Sequence, residues 1–76
     1  MLNCFEVCYQ MGNHFSCNII RVRIANEVQA AIEATKHAAN HAQKYGYDDF
    51  HVHQILCIEA QEKMAKGMPV ATIEPA

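Results

Sequence analysis

Tryptophan is absent from these 76 residues, only three glycines and two prolines occur, and neither sign of charge dominates. Each shortage excludes something. Six basic side chains against eight acidic ones, for a formal net charge of -2, leave no cationic surplus to hold a phosphate backbone. The same balance is far from the dense acidity of a nucleic-acid mimic. No apolar run approaches the ~20 residues of a membrane-spanning helix. The opening Met1-Leu2-Asn3-Cys4-Phe5-Glu6 lacks both a positive n-region and a long apolar h-region, so no signal peptide is expected and a cytoplasmic location is. The glycines Gly12, Gly46 and Gly67 each suit a turn or a helix end, which leaves no glycine-rich phosphate loop and no strained elbow for a nucleophile.

The apolar fraction is 51% and the charged fraction 18%, enough to pack a core and too little charge for a disordered tail. One small domain, residues 1–76, is therefore expected. A chain of this size buries only about 60% of the surface it exposes when unfolded, so its core is near the lower limit for independent folding.

The first 24 residues alternate with period two, which predicts strands. Phe5, Val7, Tyr9 and Met11 share one face of the first strand; Cys4, Glu6, Cys8 and Gln10 share the other. Gly12-Asn13 suits a two-residue hairpin turn, and the second strand runs from about His14 to Ile24. That turn pairs Asn3 with Val22, Phe5 with Ile20, Val7 with Asn18, and Cys8 with Cys17. A slip of one residue would turn one strand's apolar set outward, so the parity of the register is well specified.

Asn26 and Gln29 have the spacing of a capping box, and Gly46 suits the end of a helix that runs from there to Tyr45. The expected core stripe is Val28, Ala31, Ile32, Thr35, Ala38, Ala39, Ala42 and Tyr45, with Glu33, His37, His41 and Lys44 on a solvated face. A third strand follows from Phe50 to Cys57, then a short helix from Ile58 to Lys66. Residues 70–76 read as a mobile tail. The order ββαβα predicts an α+β fold: a three-stranded antiparallel sheet in the order 2-1-3, a long helix on one face and a short C-terminal helix.

Free thiols are the default for Cys4, Cys8, Cys17 and Cys57, since none lies in a C-x-x-C pair and no secretion signal is visible. The register nonetheless places Cys8 opposite Cys17, with His51 and His53 pointing to the same face from the third strand. Two thiolates and two imidazoles are a tetrahedral zinc set, and a Cys8–Cys17 disulfide is the other chemistry this pair allows. Otherwise no cofactor is expected. His37 and His41 stack four apart on the long helix, but Ala38 occupies the position where a metalloprotease helix needs its Glu. No catalytic constellation and no cleft of a few hundred Å3 are expected, hence no enzyme.

Phe15, Ile19, Arg21 and Arg23 all point to the outer sheet face, away from the long helix. They are the candidate partner surface, because such a face is more apolar than a solvated one should be. A nucleic-acid contact through the two arginines and Phe15 is an alternative reading of the same strand.

The layout itself, strand, glycine turn at Gly12, strand, then a helix rich in alanine (Ala30, Ala31, Ala34, Ala38, Ala39, Ala42) closed by Tyr45-Gly46-Tyr47 before a third strand, resembles small phage and mobile-element accessory proteins, some anti-CRISPR proteins among them. The resembling stretch runs from Phe5 to Ile58. The resemblance implies a non-enzymatic protein-binding module whose partner is a larger bacterial protein, such as a defence complex it inhibits; the apolar outer sheet face separately suggests a second copy of the chain as another partner. The resemblance carries over no functional residue.

Overall fold

The computed structural model describes residues 2–75. Along the chain lie β1 (Asn3–Met11), β2 (His14–Val22), α1 (Glu27–Tyr45), β3 (Asp49–Ile55), α2 (Cys57–Ala65) and β4 (Val70–Ile73). The hairpin register is the expected one at every pair from Asn3↔Val22 to Met11↔His14. Gly12 supplies the positive φ of the turn, at 60°, while Asn13 stays in the negative region, so one glycine is enough. Asp48 steadies the tip: its carboxylate accepts from the Gly12 N–H at 3.1 Å, and its own N–H donates to the Gln10 carbonyl at 2.8 Å.

The chain is α+β as expected, but its sheet has four strands in the order β3-β1-β2-β4 and is mixed rather than wholly antiparallel. The inner order 2-1-3 holds. The correction is residues 70–73, expected in a mobile tail, which form β4 parallel to β2; Ala76 lies outside the described residues. Hydrogen bonds from the Ile19 N–H to the Pro69 carbonyl and from the Arg23 N–H to the Ile73 carbonyl lock both ends of this short strand. β2 is thus an interior strand.

Topology then dictates which face each helix covers. β2, β3 and β4 share one direction, so α1 (from β2 to β3) and α2 (from β3 to β4) are both parallel crossovers. They traverse the sheet in opposite directions. A single handedness of crossover therefore requires opposite faces. That is what is seen: α1 packs on Phe5, Val7, Tyr9, Ile20 and Val22, while Ala60 of α2 packs on Cys4 and Ile19 of the reverse face.

α1 begins where expected, with the Asn26 carboxamide oxygen accepting from the Gln29 N–H at 2.9 Å. The reciprocal half of the capping box is missing, because the Gln29 amide donates to Glu33 instead. Gly46 ends the helix at φ 77°. The buried stripe differs from the expected one. It consists of Ala30, Ala34, Ala38 and Ala42, four residues apart throughout. The sheet supplies all the bulk of this core, and only methyl groups fit between it and the helix backbone. Val28, Ile32 and Tyr45, expected inside, are exposed. β3 ends at Ile55, not Cys57, because Leu56 already occupies the N-cap of α2.

Candidate functional site

Below the row of Phe15, Gln10 and Asp49 at the hairpin tip, three more rows of side chains cross the outer face of the sheet. Cys17, Cys8 and His51 form one; Val70, Ile19, Glu6 and His53 the next; Thr72, Arg21, Cys4 and Ile55 the third. α2 lies over the third row and part of the second, and the hairpin end is left open. All four cysteines belong to this face: three point from the strands and Cys57 meets Cys4 from the first turn of α2.

Cys8 and Cys17 are joined as a disulfide, with Cα atoms 4.1 Å apart across the hairpin. This corrects the expectation of free thiols for this pair and follows from the register, which sets them directly opposite on adjacent strands. The proposed zinc set is only partly assembled. Glu6, rather than either histidine, joins Cys8 and Cys17 with its ligand atom within 4.8 Å of theirs. His51 stands beside Cys8 in the register but leans on Asp49, Nε2 to Oδ2 3.5 Å, and stacks on His53 at 6.3 Å. A disulfide offers no thiolate, so any metal here would require its reduction first.

The candidate partner residues separate. Ile19 is fully buried beneath α2, which removes it from any exposed surface. Phe15 is 69% exposed near the hairpin tip, beyond the reach of that layer. Arg21 donates from Nε and Nη2 to the Thr72 hydroxyl at 3.2 and 3.0 Å. Arg23 pairs with Glu74 at 2.9 Å. Both arginines are thus engaged with β4 and the residues after it, elements that the sequence reading did not place. Glu6, in the middle row, takes Lys63 of α2 as its partner at 3.4 Å.

Two features of the opposite layer escaped the sequence reading. His41 does not belong to a solvated face. Its ring lies 4.7 Å from Tyr9 and 4.6 Å from Tyr45, while Tyr47 stacks on Tyr9 at 5.0 Å. Burial, then the neighbouring His37 and Lys44, holds the His41 imidazole below its ordinary range. Burial likewise raises the Tyr9 phenol, with Tyr47 adding to it. The Tyr9 hydroxyl and the Asn18 carboxamide oxygen are buried with no hydrogen-bond partner. Both residues border one cavity of about 310 Å3, whose wall also includes Ser16, His37 and His41.

The second feature is the outward side of α1. With the alanine ladder turned in, Val28 (72% exposed) and Ile32 (44%) are turned out. Together with Ala31, Thr35 and Lys36 they line an open groove of about 460 Å3, larger than the sequence reading allowed for. The polar groups around it are already occupied: the Thr35 hydroxyl donates to the Ala31 carbonyl at 2.8 Å, and Lys36 sits 3.8 Å from Glu33. The signal that could have located this surface is the regular four-residue spacing of Ala30, Ala34, Ala38 and Ala42.

No helix among the described residues is long and apolar enough to cross a membrane. No family model matches the chain, and no curated protein or solved structure shows significant similarity to it.

Proposed function

We propose that this chain is a non-catalytic binding module that docks on a larger protein through the outward face of α1. The observation that carries the reading is the inversion of the helix: its smallest apolar side chains face the sheet and its largest face solvent. Fully burying a Val or Ile side chain is worth about 1.5–3 kcal/mol, most of which the isolated fold forgoes at Val28 and part of which it forgoes at Ile32. Residues four apart on one helical face are the anchors by which a helix enters, or receives, an apolar groove. The lining of aliphatic groups, with its hydroxyl and ammonium already partnered, suits shape-based docking rather than chemistry on a substrate. The layout resemblance to phage accessory proteins makes a bacterial defence complex the first class of partner to test.

The test compares capture by the immobilised wild-type chain, Ile32→Glu and Arg21→Ala/Arg23→Ala from a bacterial lysate, with circular dichroism as the check on folding. The reading expects a species retained by wild type and by the arginine variant and lost with Ile32→Glu. Retention of the same species by Ile32→Glu and loss with the arginine variant would move the working surface to β2.

A further inference from the structure

Cys4 and Cys57 lie 53 residues apart in sequence, yet the fold brings their sulfur atoms to 3.0 Å, the Cys4 thiol donating to Cys57. Both are free thiols in the structure, Cys4 buried and Cys57 half-buried. A disulfide bond is about 2.05 Å long, so the two sulfurs need to close by only about 1 Å. Cys57 occupies the first turn of α2 and its sulfur also approaches the Leu2 carbonyl, at 3.4 Å. Around the pair stand Ile55, Met64 and Met68, which keep it inside the layer between α2 and the sheet. With Cys8 already bonded to Cys17, this contact pairs off all four cysteines of the chain.

We propose that Cys4 and Cys57 form a second, oxidisable pair, converted to a disulfide by a small-molecule disulfide of the oxidised-glutathione class and restored by its thiol form. The two cysteines have unequal parts. Burial, then the contact with Cys57, pushes the Cys4 thiol up to about 12, and only 2% of the residue is exposed. Cys57 therefore makes the first attack. Its thiolate displaces one thiolate from the oxidant and leaves a mixed disulfide on Cys57. Cys4 then attacks the Cys57 sulfur, gives up its proton to solvent, and expels the second thiolate. Two protein thiols have become one disulfide, and the oxidant's disulfide has become two thiols. The new bond ties the start of β1 to the start of α2, fastening the layer that covers the outer face.

Tryptic mapping tests this. Cys8→Ser/Cys17→Ser leaves Cys4 and Cys57 alone, in the peptides ending at Arg21 and Lys63. After incubation with oxidised glutathione and alkylation of remaining thiols, the proposal expects these peptides linked, neither sulfur alkylated, and a urea midpoint above that of the reduced form. Separate glutathione adducts, or two alkylated cysteines, would overturn it. Should the double variant fail to fold, the wild-type chain decides. A Cys57 peptide linked to the N-terminal peptide, with the link lost in Cys4→Ser, supports the pairing; an alkylated Cys57 in oxidised wild type refutes it.

Discussion

The two faces of this sheet are closed by different means. On the α1 face, bulky strand residues meet a helix whose buried stripe is alanine, with the His41 ring added against Tyr9 at its C-terminal end, so the strands provide most of the volume and the helix provides the lid. On the α2 face a nine-residue helix covers part of the surface, and sulfur chemistry supplements it, with one disulfide in the open hairpin half and one close thiol pair under the helix. A long helix can dock by close approach, since every turn places a methyl against the sheet. A short one buries few side chains, and a covalent tie such as the hairpin disulfide compensates for a small core.

Phenylalanine at two positions gives the strongest way to break that contrast. Phe5 is buried on the α1 face, and Phe5→Ala is expected to cost about 3–5 kcal/mol in urea-induced unfolding. A loss under about 1 kcal/mol would mean that this core collapses around the deletion and is not the rigid layer described. Next in size is the hairpin disulfide. Replacing Cys8 and Cys17 by Ala is expected to remove about 2–3 kcal/mol, the value for constraining a short loop, and dithiothreitol should affect wild type alike. A wild-type midpoint indifferent to dithiothreitol would remove sulfur bonding from the account of this face.

A smaller effect distinguishes the faces by pH. The folded state holds His41 below its unfolded value of about 6.5, so between those two values the unfolded chain binds more protons. Stability is full above pH ~6.5 and is lost as the pH falls toward the folded value. Thermal midpoints measured across this range should decline for wild type, and His41→Phe should flatten the decline. The smallest change is expected at Phe15. Because it is exposed beyond the α2 layer, Phe15→Ser should alter unfolding by no more than about 0.5 kcal/mol.

Much of this arrangement was legible in the residues. Period-two alternation and one glycine determined the hairpin and its register, and Asn26 and Gly46 bracketed α1, because each of these is a local rule with a strong stereochemical cause. β4 was not legible. Val70-Ala71-Thr72-Ile73 is too short to show a period, and its partner β2 is reached only through a crossover over the whole sheet. That omission explains why Thr72 and Glu74 were not expected as the partners of Arg21 and Arg23, whereas Ile19 was placed on a free surface because α2, which covers it, was not assigned to a face. The rotation of α1 was missed for a different reason. Hydrophobicity favours Val28 and Ile32 for the core, whereas the buried stripe of α1 over the sheet is filled by alanine at every turn. Packing volume outweighed hydrophobicity, and the large residues it displaced became the candidate surface.

Partner affinity of Ile32→Glu, measured by calorimetry against the species captured by wild type, tests the central claim most directly. The claim predicts a fall of about tenfold or more, the effect of losing an interface anchor, with the circular dichroism spectrum and urea midpoint of the free chain unchanged. An affinity equal to wild type, accompanied by a similar fall for Phe15→Ser, would contradict it and place the interface on the hairpin.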